Sequence, residues 1–142
     1  MIGLAALRWA VAVVALGILS GPAVAAGNMA ARATNLDLTI KSDLTMSQKE
    51  YTLETGKYYH WTITSEGGDD LLLMAPELWR YCWIDRIAVE GEEVQVLAIY
   101  GIQFDDDGGT AEIWFLPIHP GNYDFYFAGH KDRGLAGQFV IR

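Results

Sequence analysis

From residue 36 onward, apolar and polar residues trade places at every second position. A half-buried strand imposes that period and a helix does not. Leu36, Leu38 and Ile40 alternate with Asp37 and Thr39, and Tyr59, Trp61 and Ile63 with Tyr58, His60 and Thr62. Ile113 and Phe115 alternate with Glu112, Trp114 and Leu116. Tyr123, Phe125 and Phe127 alternate with Asn122, Asp124 and Tyr126, and Phe139 and Ile141 close the chain. Turn residues punctuate the runs at Glu54-Thr55-Gly56, Gly67-Gly68, Gly108-Gly109 and Pro120-Gly121. Short strands bounded in this way, with no long helical period, predict an all-β fold. The expected architecture is an antiparallel Greek-key β-sandwich of seven to eight strands. Pro76-Glu77-Leu78-Trp79 is expected to form one helical turn between the sheets. No internal repeat, low-complexity tract or second domain is visible.

The N-terminus has a different texture. Arg8 precedes an unbroken apolar run from Trp9 to Leu19, followed by Gly21-Pro22 and Ala23-Val24-Ala25. A spanning helix needs about 20 apolar residues. A positive start, a short apolar stretch and small residues at a cleavage site instead predict a secretory signal peptide over residues 1–25. Residues 26–35 are small and polar, an expected flexible lead-in, and residues 36–142 form the domain. Cleavage would leave 117 of the 142 residues, enough for one core. With Arg8 gone, nine basic residues stand against 18 acidic ones, a net charge of −9. Such a surface repels nucleic-acid phosphates and anionic lipid headgroups, so neither nucleic acid nor, after cleavage, membrane is an expected partner. The expected location is outside the cytoplasm, in the periplasm. Cys82 is the single cysteine, which excludes an intramolecular disulfide.

The most informative stretch runs from Phe115 to Ile141: Phe115-Leu-Pro-Ile-His-Pro-Gly-Asn-Tyr-Asp-Phe-Tyr-Phe-Ala-Gly-His130, then Lys-Asp-Arg-Gly-Leu135-Ala-Gly-Gln-Phe-Val-Ile. It resembles the final hairpin of the cupredoxins of plastocyanin and azurin type. In that family an aromatic strand after Pro-Gly-x-Tyr ends in Cys-x2-His-x4-Met, and a last strand completes the sandwich. The resemblance implies a cupredoxin-like fold and a degenerate type 1 copper site. Phe127 stands at the thiolate position, His130 at the imidazole position and Leu135 at the thioether position. The earlier histidine of the family would fall between Asp69 and Pro76, where this chain has none. Two nitrogens, one sulfur and a weak axial thioether are what suits copper to electron transfer. A phenyl ring gives copper no thiolate bond, so an ordinary type 1 centre is not expected.

Copper remains the cofactor that the resemblance implies, through a rebuilt site of His130, Cys82 and Met74. That soft set would favour Cu(I). Each member has a plainer reading: His130 as a loop residue capping a turn through its ring, Cys82 as a packed thiol, and Met74, like Met46, as core. His119 lies in the turn before the last hairpin, at the end of the sandwich away from His130. His60 alternates with core aromatics and is expected in solvent. Trp114 and Tyr126 fall on strand faces opposite to Phe115 and Phe125. Asp105-Asp106-Asp107-Gly108-Gly109 lacks the ligand spacing of a calcium loop and reads as a solvated hairpin tip. No Gly-x-Ser-x-Gly, phosphate-binding loop or His-Glu-x-x-His is present, so catalysis is not expected. Two functions follow. One is a copper-binding or electron-transfer accessory that meets a periplasmic redox or copper-handling protein. The other is a metal-free interaction module that binds through its acidic or aromatic surface. Nothing in the sequence sets the oligomeric state.

Overall fold

The computed structural model describes residues 27–142, so the expected signal peptide lies outside the described residues. Ten strands and one short helix follow in order: β1 Thr34–Ile40, β2 Glu50–Leu53, β3 Tyr59–Ser65, β4 Leu71–Met74, α1 Pro76–Arg80, β5 Cys82–Val89, β6 Glu92–Val94, β7 Ile102–Phe104, β8 Gly109–Pro117, β9 Gly121–Phe127 and β10 Ala136–Ile141. They form two five-stranded sheets, ordered β1-β3-β8-β5-β6 and β2-β10-β9-β4-β7. The strand at Leu36 starts two residues earlier than the alternation implied, because the Thr34 amide donates to the Tyr58 carbonyl at 2.9 Å.

The expected sandwich is present, with two corrections. The strands number ten, since β6 and β7 are three residues each and too short to carry a readable period. The sheets are not wholly antiparallel, because β1 pairs β3 and β10 pairs β2 in parallel. The cause is the path of the chain. Only β5–β6 and β9–β10 are neighbours both in sequence and in a sheet, while other successive strands cross between sheets. β1 and β3 are joined through β2 in the opposite sheet, and so return running the same way. Crossing also relocates the aspartate tip. Asp105–Asp107 links β7 of one sheet to β8 of the other, and is not the tip of a paired hairpin. The Gly68 amide donates to the Asp106 carbonyl at 2.8 Å and holds this tip to the β3–β4 turn. Gly108 has φ +88, and a Cβ there would stand 2.5 Å from the Ser65 carbonyl oxygen. Only glycine fits that approach.

Alternation sorts the side chains as the sequence implied. Tyr59, Trp61 and Ile63 on β3, Ile113 and Phe115 on β8, and Tyr123, Phe125 and Phe127 on β9 all face the core between the sheets. Trp61 sits at the centre, with ring centroids of Phe139 at 5.0 Å, Phe125 at 5.4 Å and Tyr51 at 6.1 Å. Each buried ring of this kind contributes about 1.5–3 kcal/mol. No helix among the described residues is long and apolar enough to cross a membrane.

Candidate functional site

The loop between β9 and β10 is built as the sequence implied. The Phe127 amide donates to the Leu135 carbonyl at 3.0 Å and the His130 amide to the Phe127 carbonyl at 3.0 Å. The Leu135 amide reaches the His130 carbonyl at 3.3 Å. Residues 127, 130 and 135 are therefore brought together. A 3-10 turn at Lys131–Arg133 ends on Gly134 at φ 87. The Ala128 amide donates to the Leu72 carbonyl at 2.9 Å, which ties the loop to β4.

The side chains at those positions are hydrocarbon and closed from solvent. Phe127 and Leu135 are both 0 % exposed and belong to the main core. They plug the space where the resemblance would put a thiolate and a thioether. His130 is half-buried in the surrounding loop. Its Nε2 lies 3.8 Å from Oδ2 of Asp69, close enough for an ion pair when the ring is protonated, and its Nδ1 is buried with no hydrogen-bond partner among the described residues. The ring makes no capping bond to the 3-10 turn, so the turn-capping reading fails on geometry.

The other two proposed ligands do not join it. Cys82 begins β5 opposite Pro117, beside Tyr123 and so near the start of β9. His130 follows the end of β9. Seven residues of strand at about 3.3 Å each put roughly 20 Å between those levels. Burial pushes the Cys82 thiol up to about 12, which leaves it protonated and a poor ligand at neutral pH. Met74 pairs with Tyr126 on the face of β4 away from the core. Its Sδ packs so close to Gly101 that a Cβ there would be 2.9 Å away. No group of three or more His, Cys, Asp or Glu among the described residues is placed to hold a metal ion. The residues present do not fit a copper ion of the cupredoxin kind.

The remaining histidines have structural partners. His119 Nδ1 lies 3.1 Å from the Tyr123 hydroxyl, at the end of β9 away from His130. His60 is not in free solvent, as its alternation had suggested. Its side chain is 18 % exposed, with Nε2 3.2 Å from Glu112 Oε1 and its ring stacked on Trp114 at 4.0 Å. On the other flank of β8, the Arg86 guanidinium lies 3.7 Å from the Trp114 ring centre. The indole is thus held between imidazole and guanidinium across three strands, which shields the ring and follows from cross-strand register.

Sequence reasoning also missed a groove of about 620 Å³ between β5 and the segment Val94–Ile99, closed at one end by Pro76, Trp79 and Arg80. Trp83, 59 % exposed, stands on its β5 side, and Val94, Val96 and Leu97 are exposed on the other. The alternation of Val94 and Val96 was its only signal, and on its own that signal reads as a buried strand.

No family model matches the chain, and no curated protein matches it. Solved structures do. The chain is similar to a multicopper oxidase from Pseudomonas thermotolerans, with TM-score 0.62 and 11% identity over 82% of this chain and 31% of that one. It is similar to a laccase from Pediococcus acidilactici, with TM-score 0.61 and 12% identity over 78% of this chain and 27% of that one. A copper-containing nitrite reductase from Thermus scotoductus matches with TM-score 0.57 and 10% identity over 76% of this chain and 30% of that one. The chain spans about a third of the length of these structures or less. At such identities the likeness concerns the fold, which is cupredoxin-like.

Proposed function

We propose that this chain is a metal-free, non-catalytic, cupredoxin-like interaction module of the periplasm. One observation carries the reading: Phe127 and Leu135, both fully buried, fill the positions at which the fold's sulfur donors would stand. A site lost by packing in hydrocarbon cannot be recovered by a small movement of side chains, because close-packed cores resist opening. The fold then serves as a scaffold, and what it offers a partner is surface. The exposed apolar residues Trp83, Val94, Val96 and Leu97, which line one groove, support that role, since a cluster of this kind on a small domain marks a contact site. The charged start and short apolar run of the N-terminus support the location.

A second reading, a copper-handling or electron-transfer accessory, draws on His130. Its buried Nδ1 has no partner among the described residues and its Nε2 faces a carboxylate. Titration of the chain lacking residues 1–25 with Cu(I) under reducing conditions separates the two. The metal-free reading expects no saturable binding and no effect of His130→Ala. Stoichiometric binding that weakens in His130→Ala would overturn it in favour of the second.

A further inference from the structure

Gly27 lies on the outer face of the first sheet, where a Cβ on it would stand 3.6 Å from Leu116 Cδ1. Leu116 is buried yet outside the main core, and its cross-strand partner on β5 is the exposed Trp83. Cross-strand partners share a face, so the chain enters the domain beside Trp83. Ile118 follows β8 at the same level, with its amide on the Tyr81 carbonyl at 2.9 Å and its side chain exposed. Across the groove from Trp83 stand Val96 and Leu97, the latter fully exposed.

Three observations decide what this end meets. The first is what precedes Gly27. The apolar run Trp9–Leu19 ends eight residues before it, and eight residues of extended chain reach under about 30 Å. A bilayer that takes up the run during export is therefore within reach of Trp83. The second is charge. Lys57 pairs with Glu54 at 3.3 Å, Arg80 pairs with Glu77 at 3.6 Å, and Asp85 accepts the Tyr58 hydroxyl at 2.5 Å. The aspartates Asp105–Asp107 lie at the other end of β8, whose nine residues put them roughly 26 Å away. At physiological salt the Debye length is about 8 Å, so their charge is screened at this end. Net charge alone set a membrane aside as a partner, and its placement in the fold lifts that exclusion for zwitterionic lipid. The third is shape. Trp83, Leu97 and Ile118 project into solvent, and an indole beside aliphatic side chains suits the headgroup boundary of a bilayer.

We propose that this end of the sandwich docks on a zwitterionic lipid bilayer, with Trp83, Leu97 and Ile118 entering its interface and the aspartate-rich end facing water. The inference rests on the interaction-module reading and names a lipid surface as what the module meets.

The test adds phosphatidylcholine vesicles to the chain lacking residues 1–25, which keeps every residue of the main core. Binding is expected to saturate at millimolar lipid, because a few side chains without a second anchor attach weakly. Lipid brominated near the headgroup should quench the tryptophan fluorescence by at least a third. Trp83→Phe should remove most of that quenching, since Trp61 and Trp79 are buried and Trp114 is held between His60 and Arg86. Leu97→Asp together with Ile118→Asp, both at exposed sites, should weaken binding at least tenfold, whereas Asp106→Asn at the far end should change it less than twofold. Absence of binding at millimolar lipid, quenching undiminished in Trp83→Phe, equal binding of the double variant, or lipid-free dimerisation that the double variant abolishes would each overturn the proposal. The copper titration keeps the two failures apart. A flat titration with no vesicle binding removes only the lipid proposal, whereas saturable copper binding removes the metal-free reading and leaves the vesicle result standing.

Discussion

Phe127 illustrates how one side chain decides between two uses of the same backbone. The loop bonds around it are those that would hold a ligand in register, yet the residue contributes a ring to the core. Phe127→Ala should lower stability by about 3–5 kcal/mol, since the neighbouring rings cannot collapse into the cavity. Urea denaturation measures this, and a loss under 1 kcal/mol would mean that the plug is not tightly packed. Cys82 makes a separate prediction at high pH. Burial raises its thiol from 9.0 to about 12, and likewise raises the Tyr51 phenol from 10.0 to about 12. The unfolded chain therefore ionises first. The stabilising preference of both groups for the protonated form is complete below about pH 9 and is lost as pH rises to about 12. Stability should fall across that window, and Cys82→Ala should flatten the part of the fall that begins near pH 9. An unchanged slope in the variant would show that the thiol is accessible to water in the fold.

The turn into β9 is fixed by a single phenol. The Tyr123 hydroxyl lies 3.2 Å from the carbonyl oxygens of His119 and of Pro120, a tyrosine corner that sets where the last hairpin begins. Tyr123→Phe removes the donor to carbonyls of the exposed residues His119 and Pro120, so a loss of about 0.5–1.5 kcal/mol is expected with the fold intact. Thermal melts and an unchanged circular-dichroism spectrum check it, and an unaltered melting temperature would mean that water or the His119 ring suffices. How far such elements could be read beforehand depended on their burial. β1, β3, β8, β9 and β10 have one face in the core, so their alternation was visible. β4 is the continuous apolar run Leu71–Met74, with Leu72 half-buried and the other three buried, so it shows no alternation to read. β5 carries a register shift between Ile84 and Arg86, which breaks the period in its middle. The same distinction governs the site. Residues 127, 130 and 135 share one loop, so local spacing fixed their proximity. The positions of Cys82 and Met74 depend on sheet order and facing, which no local spacing encodes.

At the scale of the whole molecule, the dominant feature is the uneven placement of charge. The tie between Gly68 and Asp106 draws Asp69 and Asp70 to the same end of the sandwich as Asp105, Asp106 and Asp107, next to the His130 loop. Except for Asp69, which is partly covered, these aspartates are exposed. Five carboxylates within one end of a domain already negative overall repel each other and oppose folding, because the unfolded chain lets them separate. Screening should relieve this, as the Debye length shrinks from about 30 Å at 0.01 M salt to about 3 Å at 1 M. Raising sodium chloride from 0.01 M to 0.5 M is therefore expected to stabilise the fold by about 1 kcal/mol, the scale of a few exposed charge pairs. The melting temperature should rise by several degrees. Asp106→Asn, at an exposed tip, should be stabilising at low salt and should reduce the gain from salt. A melting temperature that is flat or falls with salt would mean that attractive pairs such as His60 with Glu112 outweigh the clustered repulsion.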